Sequence, residues 1–286
     1  MNRCPWTGVK RRLGYLVSPF SRDTPVRLAV CAIFRDEAPN LAEWLTFHRL
    51  QGVERFYLYD NRSEDDWRAE IAQEIATGVA RVRKWPYERG QRLAYSDCLE
   101  RRPRAEWVAF IDVDEFLFSP AGLPLPDVLA AYSHHAAVTV NWRTYGHGGH
   151  RTRPDDLVTA SYLTRGVDDH PINHHVKSIV RADRTVGPSA NPHVFEHDGS
   201  AVGEDHQPQS GPLRRPPTVE ILRINHYQKR SEEEFRRKVA GPRSDHSRVR
   251  QDDGLDALRD EIMLQFVPAV REALARRERT CVRGHQ

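Results

Sequence analysis

Residues 107–118 read WVAFIDVDEFLF, an apolar run from Trp107 to Phe118 broken by three carboxylates, Asp112, Asp114 and Glu115. An unpaired carboxylate is costly to bury, so such groups end up paired, bound to metal or outside the core. The residues allow two readings. In one, a strand ends at Ile111 and its acids lie in a solvated turn. In the other, the acids form an oxygen-rich pocket at the strand's carboxyl end. Residues two apart in a strand face the same side. Asp112 and Asp114 therefore converge on one ligand if the chain stays extended past Ile111 or turns so as to aim both.

The preceding sequence places this run in a series. Residues 26–34, VRLAVCAIF, are too continuously apolar for a strand with one wet face and predict one buried on both sides of a sheet. A helix follows in PNLAEWLTFHRL (39–50), where Leu41, Trp44, Leu45 and His48 recur at helical spacing and Pro39 suits the first turn. RFYLY (55–59) predicts a second strand, with Ser63 or Asp65 placed to cap another helix. Residues 79–85 predict a third strand, 93–99 a helix and 107–111 a fourth strand. This β-α-β-α-β-α-β order predicts an α/β fold with a doubly wound, mostly parallel sheet and helices on both faces, whose ligands bind at the carboxyl ends of the strands. Further on, 124–135 read as helix and 136–142 as strand, 174–182 and 218–227 contain the two best strand candidates of this part, and Ser231 with Glu234 read as a capping box. Arg-rich residues towards Gln286 predict a terminal helix.

Composition narrows the function classes. The chain has 286 residues, of which 39% are hydrophobic, enough for a substantial core. The 43 basic residues nearly balance 40 acidic ones, for a net charge of +3, which argues against a nucleic-acid binder. Four cysteines without a CxxC spacing read as reduced thiols. No apolar run approaches the roughly 18 residues of a membrane span, and the first twenty residues lack a signal peptide's unbroken apolar stretch. The expected location is cytoplasmic. Lys10, Arg11 and Arg12 beside Leu13, Tyr15 and Leu16 would allow peripheral contact with the inner face of the membrane, although a basic leader over 1–25 is the simpler reading. Of the fourteen histidines several crowd into 147–175, but no HExxH occurs.

A phosphatase-type DxDx[TV] loop is ruled out by Phe116 and by the motif's place after a fourth strand. The segments CAIFRDEAPNLAEW (31–44), GVERFYLYDNRSEDD (52–66), WVAFIDVDEFLF (107–118), NWRTYGHGGHRTRP (141–154), HHVKSIVR (174–181) and INHYQKRSEEEFRRK (224–238) resemble glycosyltransferase family 92, the family-2-like GT-A glycosyltransferases. The resemblance runs over roughly 26–240. It implies a GT-A fold over 26–240, preceded by the 1–25 leader and followed by a helical extension over 241–286.

It also implies a nucleoside diphosphate sugar as donor, a UDP-sugar foremost, and Mn²⁺ or Mg²⁺ as cofactor. Asp112 and Asp114 match the motif that binds metal and donor, and His226 the late histidine that completes metal or diphosphate binding. Arg35, Asp36 and Glu37 match the loop that touches the nucleotide. Asp60 and Asn61 match its base- or ribose-binding turn, and Gln91 and Arg92 the approach to the donor. Lys177 is expected to face phosphate. An inverting transfer needs a carboxylate to take the acceptor's proton. Asp169 and Glu196 are the candidates, with Glu115 placed to contact sugar or acceptor. Trp142 and His150 are assigned to the acceptor, a glycan or lipid-linked hydroxyl. The alternatives are a metal-dependent phosphoester hydrolase and a catalytically inactive carbohydrate- or nucleotide-binding protein.

Overall fold

The computed structural model describes residues 24–101, 103–240 and 254–283. The basic residues 10–12 and most of the expected leader lie outside the described residues. In chain order the elements are β1 Val26–Phe34, α1 Ala38–Leu50, β2 Arg55–Asp60, α2 Trp67–Glu70, α3 Ala72–Ala76, β3 Ala80–Lys84, α4 Gln91–Glu100, β4 Ala105–Phe110, β5 Glu115–Phe118 and α5 Leu125–Leu129. There follow β6 Ala137–Thr144, α6 Val158–Ser161, β7 Thr164–Arg165, β8 Val176–Arg181, β9 Thr185–Pro188, β10 Phe195–His197, β11 Ala201–Gly203, β12 Arg223–His226, α7 Glu232–Ala240, β13 Leu258–Arg259 and α8 Val267–Arg283. Among the described residues no helix is long and apolar enough to cross a membrane.

The expected α/β arrangement is what the chain forms. The main sheet runs β3-β2-β1-β4-β8-β6-β12-β5, with β11 beside β6. The first four strands in this order are parallel, β8 is antiparallel to both its neighbours, and β6 pairs parallel with β11 and β12. Strand β1 is buried on both faces, as its unbroken apolar run requires. Leu28, Val30 and Ala32 face the layer that holds Leu41, Trp44 and Leu45 of α1. Ala29, Cys31 and Ile33 face the layer that holds Ala94, Tyr95 and Cys98 of α4.

The run 107–118 does not stay extended. It stops at Phe110, turns through Asp112 and Asp114, and resumes as β5, which pairs antiparallel with β12 at the far end of the strand order. Only four residues separate β4 from β5, so the sheet must curl back on itself. The curl brings β5 against α1, where the Trp44 indole donates to the Glu115 carbonyl at 2.8 Å.

One local expectation is revised. Asp65 does not cap the helix after it; its carboxylate accepts from the Ala38 amide at 2.7 Å and so caps α1, while Ser63 accepts from the Asp36 amide. The strand candidate within 218–227 forms as Arg223–His226 and starts no earlier. The cause is Glu204, whose buried carboxylate takes the amides of Glu220, Ile221 and Leu222 at 2.7–2.9 Å and withdraws them from any ladder. The capping box at Ser231 and Glu234 forms as expected. The expected terminal helix is α8, which lies against α1. Just before it, Asp260 accepts from Arg165 and Arg223, both at 2.6 Å, and joins this segment to β7 and β12.

His48 couples α1 to β5 inside the core. Its Nε2 accepts from the Leu117 amide at 3.1 Å, so the proton sits on Nδ1, which donates to the Trp44 carbonyl at 2.8 Å. Burial, only partly opposed by that carbonyl, pushes its pKa down to about 3. A depressed pKa stabilises the fold above the unfolded value of about 6.5 and loses that contribution as pH falls towards the folded value. The unfolding free energy should therefore drop by about 1.4 kcal/mol per pH unit from this group alone between about pH 6 and about pH 4. Chemical denaturation of His48→Gln over that range should show a slope shallower by this amount, and an unchanged slope would contradict the assignment.

Candidate active site

The carboxylates of the turn after β4 are compensated in different ways. Asp112 accepts from Gln91 Nε2 at 2.8 Å and from the Tyr95 hydroxyl at 3.4 Å on Oδ1, and from Lys177 Nζ at 2.7 Å on Oδ2. The turn closes through the Glu115 amide on the Asp112 carbonyl at 3.0 Å, and Glu115 Oε2 accepts the Asp112 amide in return at 2.9 Å. Glu115 is fully buried, with Lys177 Nζ 3.6 Å away. Burial pushes the Glu115 carboxyl well up; Lys177 opposes the shift, while Asp112 and Asp114 add to it. For Lys177, burial would lower the ammonium, but Asp112 and Glu115 outweigh it and hold the pKa above its ordinary value. Lys177 is thus a buried counter-ion between two carboxylates.

Asp114 faces a second set of cations. Its Oδ2 accepts from Lys238 Nζ, its Oδ1 lies 3.6 Å from His226 Nε2, and its carbonyl accepts the Tyr227 amide at 2.8 Å. Burial would raise the carboxyl, but Lys238, His226 and Arg230 together hold it well below the usual carboxylate range. Arg230 is itself tied to Glu37 at 2.9 Å and has a φ of 53°, a conformation that a non-glycine residue rarely adopts. The His226 ring packs 4.4 Å from Trp142, whose other neighbours are the stacked ring of His175 at 5.1 Å and that of His193 at 5.3 Å. The buried polar atoms here without a partner among the described residues include Glu115 Oε1, His226 Nδ1 and Trp142 Nε1.

The remaining candidates surround this centre. Arg35, Asp36 and Glu37 form the loop after β1, where Asp36 has a φ of 52° and accepts the Glu64 amide at 2.7 Å. Asp60 and Asn61 end β2: Asp60 accepts the Ser63 amide, and Asn61 donates to the carbonyls of Trp85 and Tyr87 at 2.7 and 2.8 Å. Both side chains therefore shape the loops at this edge. Arg92 follows Gln91 in the first turn of α4. Asp169 is exposed and accepts from His174 Nε2 at 2.7 Å. It lies at the same end of the sheet, because β8 begins there and runs antiparallel to β4. Glu196 is exposed on β10, next to Phe195, whose buried ring packs on Phe110 and Tyr95. The His150 ring meets the Ser161 carbonyl at 3.2 Å and the edge of Tyr162, and no hydrogen bond among the described residues joins it to Asp112 or Asp114.

Tyr95, Arg230 and Lys238 belong to the site without having been singled out in the sequence. Arg230 and Lys238 lie in the charged stretch around the capping box, and Tyr95 repeats at i, i+4 from Gln91, the one spacing that links it to the site.

The family model for glycosyltransferase family 92 matches residues 25–253. The chain belongs to that family. A family 92 protein of Ricinus communis is 35% identical over 167 residues, covering 56% of this chain and 30% of the relative. One of Oryza sativa subsp. japonica is 35% identical over 162 residues, covering 54% of this chain and 27% of the relative. The match thus spans less than a third of the length of either relative. Among solved structures, S. aureus TarS 1–349 in complex with UDP-GlcNAc aligns at a TM-score of 0.38 and 15% identity, covering 55% of this chain and 46% of that one.

Removing Lys177 leaves the buried Glu115 and the part-exposed Asp112 without their shared cation. Lys177→Met should therefore destabilise the fold by about 3–5 kcal/mol. Adding Glu115→Gln, which removes one of the repelling charges, should recover part of the loss. Urea denaturation of both single mutants and the double mutant tests this, and strict additivity would show that the three groups do not interact.

Proposed function

We propose that this protein is a metal-dependent, inverting glycosyltransferase that moves a hexose from a nucleoside diphosphate sugar to a hydroxyl of a glycan or lipid-linked acceptor. One observation carries the reading within the family. Asp112 and Asp114 are held at the carboxyl end of a central parallel strand, ringed by Lys177, His226, Arg230 and Lys238, in the crevice where open α/β sheets bind ligands.

Among the described residues no three His, Cys, Asp or Glu side chains are gathered as a ready-made metal cluster. The donor set still fits a hard divalent cation: two carboxylates and an imidazole suit Mn²⁺ or Mg²⁺. Asp114, already surrounded by positive groups, would hold the ion with His226 and Asp112. When bound, the ion would offset charge on the departing diphosphate.

The chain's own residues supply the rest. Lys177 fixes Asp112 in place through Oδ2, and Gln91 and Tyr95 orient the same carboxylate from α4. Arg92, on the turn of α4 beside Gln91, is assigned to the diphosphate, and the Arg35–Glu37 loop and the Asp60–Asn61 turn form the nucleotide edge. Trp142, expected at the acceptor, is instead buried with His175 stacked on its ring and His226 packed against it, and so serves to hold His226 in place. Glu115, locked in the turn, is a positioning residue. Asp169, exposed and oriented by His174, is assigned as the base that takes the acceptor's proton.

The test is thermal stability against a panel of nucleoside diphosphates, uridine diphosphate included, each with and without Mn²⁺. A ligand that binds only the folded state at about a hundred times its Kd stabilises by about 2.7 kcal/mol. One nucleotide should raise the melting temperature only with Mn²⁺, and Asp114→Ala should abolish the shift. No shift from any nucleotide in the folded protein would overturn the reading.

A further inference from the structure

Asp112 and Asp114 are two residues apart, yet their cations differ in kind. Lys177, on Asp112, is 1% exposed and fixed within β8. Lys238, on Asp114, is 40% exposed, and it projects from the last turn of α7 on a flexible stem that also reaches the Gln228 carbonyl at 3.3 Å. The first ammonium is part of the core. The second can leave.

We infer that Lys238 is an exchangeable internal cation that occupies Asp114 until metal and diphosphate arrive together, and so makes their binding interdependent. The inference rests on the metal-dependent donor binding proposed above. Asp114 Oδ1 faces His226 and Oδ2 carries Lys238, so an ammonium left on Oδ2 would be a like charge against an ion held by Asp114 and His226. Metal binding therefore favours the departure of Lys238. Arg230 already supplies positive charge beside Asp114, so the displaced ammonium gains nothing by staying near it. A diphosphate offers it a new anionic partner. Each ligand thus lowers the cost of the other, and the coupling is reciprocal by linkage. Lys238 is a positioning residue in this scheme, and its substitution changes affinities whether or not transfer occurs.

The experiment is titration of the full chain with Mn²⁺, followed by the electron paramagnetic resonance signal of the free ion, with and without uridine diphosphate. Wild type should bind Mn²⁺ weakly alone and more tightly with the nucleotide. Lys238→Met should bind Mn²⁺ alone about tenfold more tightly than wild type, within the ordinary range of allosteric coupling. With nucleotide it should fall within about threefold of wild type, so that the coupling shrinks. Lys238→Arg, which keeps the cation, should behave as wild type. Equal or weaker Mn²⁺ binding by Lys238→Met alone, in a protein whose Asp114→Asn variant loses the ion, would overturn this inference and leave the metal-dependent reading standing. No Mn²⁺ binding by any variant, or binding undiminished in Asp114→Asn, would overturn both.

Discussion

A buried ammonium is the condition on which the carboxylate turn depends. Lys177 lies between Asp112 and Glu115, and without it a central strand could not end in two acids inside the protein. That requirement bears on the topology. Lys177 comes from β8, the strand that runs antiparallel between β4 and β6, so its early residues lie at the end where β4 finishes. A parallel strand in that place would put its early residues at the opposite end of the sheet. The reversal of direction in the middle of the sheet and the charge balance of the site are one arrangement.

The turn is equally constrained from the side of α1. Having left β4, the chain must join β5 at the opposite end of the strand order within four residues, which closes the sheet into a curl. Helix α1 fills the inside of that curl: Trp44 holds the Glu115 carbonyl and His48 the Leu117 amide. These are hydrogen bonds to backbone in a fully buried layer, where an unmade bond is costly. They fix the height of β5 and hence the direction in which Asp114 leaves the turn. Glu37, just before α1, reaches Arg230 and ties the loop after β1 to the other side of the same carboxylate.

Much of this was legible from residue patterns. The run 26–34 announced a strand covered on both faces because both sides had to be apolar, while three acids inside 107–118 left a solvated turn or an oxygen-rich pocket as the two readings. The start of the late strand was not legible, because the amides of residues 220–222 go to a carboxylate sixteen to eighteen residues upstream, a partner that no local pattern reveals. Asp65 was legible as a cap but not as the cap of α1, since that bond spans 27 positions. Lys238 was hidden for the opposite reason. It sits among Arg236, Arg237 and three glutamates in a short amphipathic helix, where a lysine reads as one more solvated charge.

The contrast between the two aspartates extends to the division of the site as a whole. Asp112 is bound by α4, β8 and its own turn, all parts of the two core layers, and its partners could change only if those layers moved. Asp114 is bound by α7 and by the residues just after β12, which join the body through Tyr227, Arg230 and the capping box at Ser231. A ligand that competes for Asp112 would meet a compensated carboxylate in a rigid frame. One that competes for Asp114 has only to move a half-exposed side chain, because α7 itself stays anchored by Phe235 in the core and by Glu234 on Arg153 and Tyr162. Moving the Lys238 side chain off Asp114 therefore asks nothing of the backbone that presents the carboxylate.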